Sequence, residues 1–109
     1  RGRNLDIKIY ATLEGKEPFL DWLNSLKDLK AKASVKKRLN RIEKDSYLGD
    51  YKFIEANLIE LRFFMGPGYR VYCGMYEEQL IIFLAGGDKS SQERDLIKVK
   101  EYWNEFKNR

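Results

Sequence analysis

Apolar residues along this chain keep to two spacings, and the changes between them divide it into elements. Residues 5 to 12, LDIKIYAT, alternate apolar and polar and predict a first strand. Glu17-Pro18 reads as a helix start, because proline's missing N–H has no partner to lose in a first turn. Phe19, Trp22, Leu23 and Leu26 then fall at helical intervals along one face. A second helix is predicted over 29–45, with Val35, Leu39 and Ile42 on one side and a basic stripe of Lys30, Lys37, Arg41 and Lys44 on another. After Gly49-Asp50 the period shortens to two, and strands are predicted over 51–56, 58–64, 69–76 and 79–85. The last of these is the most apolar, which predicts a central strand buried on both faces, ended by Gly86-Gly87. Pro67-Gly68 suits the central pair of a type II turn, and Glu77-Glu78 a tight turn. Ser90 with Glu93 fits a capping box for a final helix that lines up Leu96, Val99, Trp103 and Phe106. The order β-α-α-β-β-β-β-α predicts an α+β fold, an antiparallel sheet packed with helices.

Composition narrows the chemistry. With 109 residues, 43% of them hydrophobic, the chain is expected to form one domain, 1–109, around a modest core. Its longest apolar run, Leu80 to Ala85, is far short of the ~20 residues a bilayer span needs, so no membrane association is expected. No signal peptide is read, and the opening Arg1-Gly2-Arg3 lacks a methionine, as a trimmed or engineered start would. The single cysteine, Cys73, cannot form an internal disulfide, which points to a reducing cytoplasm. With no histidine, zinc sites and Ser-His or Cys-His chemistry are excluded, and neither metal nor cofactor is expected. Any catalysis falls to Arg, Lys, Tyr or carboxylates. The net charge of +4 permits a polyanionic partner without requiring one.

Candidate chemistry concentrates in ELRFFMGPGYRVYCG, residues 60–74. Alternation places Ile59, Leu61 and Phe63 on one strand face and Glu60, Arg62 and Phe64 on the other, while Val71, Cys73 and Met75 oppose Arg70, Tyr72 and Tyr76. If both apolar faces meet one core, Arg62, Arg70 and Tyr72 share the opposite, more polar face, with Trp103 and Phe106 packed on the core side. That register needs an odd number of connecting residues or a bulge. Each guanidinium offers a planar fork matched to phosphate oxygens, and tyrosines can stack on bases. An ordinary cross-strand ion pair of Arg62 with Glu60 or Glu55 is the competing reading. Tyr69 and Lys52 are candidate RNA contacts near these strands; Lys37 and Arg41 are candidates on the second helix, where a solvated basic face is the alternative. In AGGDKSSQERD, residues 85–95, the glycines allow close approach of a ligand and Lys89 precedes a helix N-terminus, where free amides attract anions. The full phosphate-loop pattern is missing, so nucleotide binding is not expected.

Taken in order, FLDWLNSL, YKFIEANLIELRFFMGPGYRVY and LAGGDKSSQERDL resemble the toxins of bacterial type II toxin–antitoxin modules. The resemblance is to the HigB-like, phage-derived killer branch of the RelE/ParE superfamily, and it runs from about Ile7 to Tyr102. It implies ribosome-dependent, metal-independent cleavage of messenger RNA. Gyrase poisoning, or a degenerate toxin kept as an antitoxin partner, are the alternatives within the same superfamily. It also implies a cognate antitoxin, of helix-turn-helix type, besides the ribosome and mRNA. By resemblance Arg70 matches a catalytic arginine of the RelE-like nucleases, Lys89 a second basic catalytic residue, and Arg62 the arginine of the branch's ELR motif. The sequence departs from RelE at Leu58 and Glu60, which stand near its lysines, and at Asp95, near its catalytic tyrosine. Tyr72 and Tyr69 are therefore substitutes for the general base by chemistry alone.

Overall fold

Strands and helices form where the spacing of apolar residues changes. A computed structural model of the chain describes residues 5–109, so the question of the Arg1-Gly2-Arg3 start lies outside the described residues. In chain order the elements are β1 (Asp6–Ile9), α1 (Pro18–Ser25), α2 (Leu29–Asp45), β2 (Tyr51–Glu55), β3 (Leu58–Phe63), β4 (Tyr69–Tyr76), β5 (Leu80–Asp88) and α3 (Gln92–Lys107). A single 3₁₀ turn, Lys89–Ser91, joins β5 to α3. The order matches the expected one, and the fold is α+β. None of the described helices is long and apolar enough to cross a membrane.

The sheet is mixed rather than antiparallel. Its order is β1-β5-β4-β3-β2, and β1 runs parallel to β5 while the other neighbours are antiparallel. Alternation in LDIKIYAT marks a strand but carries no information about its neighbour. The partner turns out to be the last strand, reached only after both first helices and the β2–β4 meander.

Helices cover both faces, which corrects the expectation of one core. On one face Phe19 and Leu23 of α1 and Val35 and Ile42 of α2 meet Ile59, Leu61, Val71, Cys73, Ile81 and Phe83. On the other, Val99 and Trp103 of α3 meet Leu58, Tyr72, Ile82 and Leu84. Trp103 does pack on the sheet, but on the face that carries Arg62 and Arg70. β5 is internal and buried on both faces, as its apolar run required.

Three local details set the site. Five residues, 64–68, separate the paired Phe63 and Tyr69, the odd number that the register demands. Gly68 N–H donates to the Met65 carbonyl at 2.9 Å, so Gly66-Pro67 is the central pair, one residue earlier than expected, and Gly66 has a φ of 52°. β5 continues through Gly86-Gly87 instead of stopping there. A side chain at Gly86 would collide with the Trp22 ring and one at Gly87 with Asp95, so the pair lets α1 and α3 lie against the strand.

Candidate functional site

Cross-strand register brings the two arginines together. Arg62 of β3 and Arg70 of β4 are direct partners, as are Glu60 and Tyr72 two residue pairs further along. On the other side of β4, Arg70 pairs with Gly87. Neither guanidinium makes a two-point contact with a described residue. Arg62 Nη2 donates to Asp50 Oδ1 at 3.2 Å, so its partner is Asp50 rather than Glu60 or Glu55. Arg70 Nε donates to Glu60 Oε2, also at 3.2 Å. Glu60 is 3% exposed, the only buried charged residue among those described, and its other oxygen accepts from Gln92 Nε2 at 3.2 Å. Such donors are what a carboxylate withdrawn from water requires.

Beyond the arginine pair, the strand ends and the 64–68 turn enclose an open cleft of about 480 Å³. Arg62, Arg70 and Lys89 line it together with Phe64, Met65 and Pro67. Lys89 is exposed and forms no ion pair with a described residue. Gly68, with a φ of 81°, lies between the cations: a Cβ there would sit 3.8 Å from Lys89 Cβ and 4.0 Å from Arg70 Nη1. That Nη1 is buried and has no hydrogen-bond partner among the described residues. The cleft is thus a cationic recess with an apolar rim, led by Phe64, which is 78% exposed and stacks under the Arg62 guanidinium at 5.4 Å.

The turn before α3 is closed by a different cap from the one expected. Asp88, not Ser90, is the capping residue: its Oδ1 accepts from the Ser90 and Ser91 amides at 2.9 and 3.2 Å, and Ser91 Oγ accepts from the Asp88 N–H at 3.1 Å. Hydrogen bonds from Ser90 and then Ser91 hold the Asp88 carboxyl below its ordinary pKa. Those amides are therefore already occupied by an anion of the protein itself, and the exposed Lys89 ammonium stands beside them.

Other sequence candidates fall in different places. Tyr72 shares the arginine face but is fully buried under α3, with its hydroxyl unpartnered. Burial first, then the Glu60 and Asp95 carboxylates, push its pKa up, so it stays a neutral phenol out of reach of a ligand. Burial therefore speaks against Tyr72 as the substitute base: strand alternation gives a face, not the helix that covers it. Tyr69 turns to the α1 side, edge-on to Trp22 at 6.3 Å, and also lines the cleft. Burial, with Asp28 and Asp88, raises its pKa as well. Lys52 lies exposed on the edge strand β2, opposite Glu60 in register and outside the cleft lining. Lys37 and Arg41 are exposed on α2, whose buried side packs on the other sheet face; Arg41 pairs with Asp45 at 3.5 Å and stacks on Tyr47. The structure thus brings Arg62, Arg70, Lys89 and Tyr69 to one cleft and leaves Lys37, Arg41, Lys52 and Tyr72 outside it.

Three further residues carry weight that the sequence did not assign. Gln92 and Asp50 are the partners described above. Arg38 of α2 donates to the Leu48, Asp50 and Arg62 carbonyls at 3.0, 3.4 and 3.0 Å and stacks on Phe63 at 4.2 Å, fastening α2 to the end of β3. Helical spacing placed it beside the basic stripe, and nothing in that spacing separates a clamp from a solvated cation. Among the described residues, no group of three or more His, Cys, Asp or Glu side chains is placed to hold a metal ion.

These features define a small α+β protein with a cationic cleft at one end of a mixed sheet. The chain is 40% identical over 96 residues to an uncharacterized protein of Haemophilus influenzae, a match that covers 88% of this chain and 92% of the relative. It belongs to the same family as that protein. No family model matches the chain, and no solved structure matches it.

Proposed function

We propose that this protein is the toxin of a type II toxin–antitoxin module, a HigB-like member of the RelE/ParE superfamily that arrests growth by cleaving mRNA on the ribosome. The observation that carries this reading is the convergence of Arg62, Arg70 and Lys89, drawn from three separate segments, on one open cleft. The same three residues stand in the ELR, GYR and GGDK motifs that carry the resemblance. In the reaction, the 2′-hydroxyl oxygen of a nucleotide bonds to the adjacent phosphorus and the bond to the 5′-oxygen breaks. A 2′,3′-cyclic phosphate forms; the 2′ proton passes to water and the leaving oxygen takes one up. The chain's part is to orient the phosphodiester and stabilise the charge that builds on its oxygens. Arg62 and Arg70 supply that charge, and Lys89 binds the phosphate or protonates the leaving oxygen. With Tyr72 buried, no tyrosine is assigned as base. The partner is a cognate antitoxin of helix-turn-helix type, acting in the cytoplasm, and a basic cleft favours an acidic segment of it.

The test is incubation with translating ribosomes and a defined mRNA, followed by mapping of 5′ ends, with gyrase supercoiling assayed in parallel. Cleavage confined to ribosome-bound message is expected, together with growth arrest on expression that a neighbouring antitoxin gene relieves. Gyrase inhibition without cleavage would replace this reading with the poison. Soluble expression with neither effect would leave a degenerate, antitoxin-binding chain.

A further inference from the structure

Arg70 is held by an assembly that the cleft itself does not contain. We infer that Glu60 and Gln92 are positioning residues, a brace that fixes the Arg70 guanidinium with its η nitrogens toward the cleft; this rests on the endonuclease reading above. One carboxylate oxygen of Glu60 takes Arg70 Nε and the other takes Gln92 Nε2, both at 3.2 Å. The two donors come from different elements, β4 and the first residue of α3, so the carboxylate ties the helix start to the strand. The Glu60 side chain is 4% exposed and that of Arg70 16%, so water competes little for either contact. With Nε engaged, the η nitrogens donate to no described residue, and Nη1 is buried without a partner beside Gly68.

An ordinary stabilising ion pair would not need this arrangement. A guanidinium pinned for stability alone gains most from the parallel two-point contact with its carboxylate. Here the carboxylate uses a single oxygen on Arg70 and gives its second to an amide, which leaves both η nitrogens without a partner among the described residues. That arrangement leaves Nη2 free to donate to an outside anion, with Nη1 unpaired behind it, and the anion the cleft fits is one phosphodiester group between Arg70 and Lys89. Tyr72, opposite Glu60 in register, fills the space behind with an aromatic ring, so the brace backs onto a dry wall.

The test removes the Gln92 donor while keeping its bulk. In Gln92→Leu, Glu60 loses its second donor, so Arg70 keeps its charge and its partner but is held less firmly. Exchange of the Arg70 Hε proton with water, followed by ¹⁵N NMR, is expected to accelerate by about tenfold, the size of one modest hydrogen bond. Ribosome-dependent cleavage is expected to lose about tenfold to a hundredfold in kcat, as small misplacements do, with KM changed less than about twofold. Gln92→Glu, which sets a second carboxylate against Glu60, is expected to do no better, whereas Gln92→Lys restores a donor and recovers part of the rate. Unchanged Hε exchange in Gln92→Leu overturns the brace. Accelerated exchange with unchanged kcat overturns its role in catalysis. A wild-type protein that cleaves nothing on ribosomes sinks the endonuclease reading instead, and Hε exchange alone then decides whether the brace exists.

Discussion

The two faces of the β3–β4 pair are built from alternate residues of the same strands, yet they obey different rules. Toward α1 and α2, Leu61, Phe63, Val71 and Cys73 form an unbroken apolar surface that ends only where the strands do. Toward α3 the apolar surface stops at Tyr72, and Glu60, Arg70 and Arg62 follow it outward. One face has a single task, to exclude water. The other excludes water under Trp103 and then, within two residue pairs, holds a buried carboxylate and two cations. Stability on that second face depends on pairing as well as on packing, and each kind of contact fails in its own way under mutation.

The largest effect should come from the apolar half of the α3 face. Trp103→Ala removes the largest buried side chain there and should cost about 3–5 kcal/mol, within the range of Leu61→Ala on the opposite face, about 2–5 kcal/mol. Urea denaturation of both variants measures the comparison. A Trp103 variant that lost under about 1 kcal/mol would mean that α3 is held by its polar start and not by its apolar side.

Arg70→Ala comes next, and here sequence and structure make different forecasts. On an exposed strand face, the change would cost about 0.5–1 kcal/mol. With Glu60 buried beneath it, the change strands an unpaired carboxylate and should cost about 3 kcal/mol or more. Adding Glu60→Leu to Arg70→Ala should recover much of that loss, because replacing both members of a buried pair is far milder than removing one. Arg62→Ala is the counterpart, since Asp50 keeps 39% of its side-chain surface; about 0–1 kcal/mol is expected. Equal costs for the two arginines would erase the distinction between a buried and an open pair.

That divergence shows where the sequence was legible. Element order, the odd connection and the co-facial arginines follow from period-two spacing, and the structure repeats them. What covers each face did not follow, because alternation sorts residues into two sets without saying which set meets which helix. The burial of Tyr72 under α3 was missed for that reason, and so was the apolar cover over part of the face assigned to the arginines. The parallel β1–β5 pairing and the extension of β5 through Gly86-Gly87 depend on contacts across most of the chain's length, which no local window contains. Gln92 could have been noticed only through its neighbour: a glutamate inside a strand of buried residues demands donors, and the start of the last helix is where one waits.

A smaller effect separates the cap from the cleft. Asp88→Ala should cost about 1 kcal/mol through loss of the capping hydrogen bonds. Because the folded-state pKa of Asp88 lies below the unfolded value of about 3.9, its contribution is complete above that value and is lost as pH falls through the folded pKa. Wild type and variant should therefore differ in denaturation midpoint at pH 7 and converge in strong acid. A difference that persisted at low pH would assign the stabilisation to packing and not to the carboxylate.

The smallest change in stability should be at Lys89, where the comparison of faces becomes one of function. Lys89 is exposed and unpaired with any described residue, so Lys89→Ala should shift stability by less than about 0.5 kcal/mol. If it contacts a phosphate, however, binding of a single-stranded, 2′-O-methylated RNA should lose one counterion's worth of salt dependence, a slope smaller by about 0.7. Lys37→Ala is the control, because α2 packs on the opposite sheet face and Lys37 lies outside the cleft. Fluorescence anisotropy across a salt series measures both slopes. A reduced slope for Lys89→Ala alone places the RNA backbone at the open end of the arginine face. The same reduction for Lys37→Ala would instead mean diffuse attraction over a basic surface, and the cleft would lose its claim to the substrate.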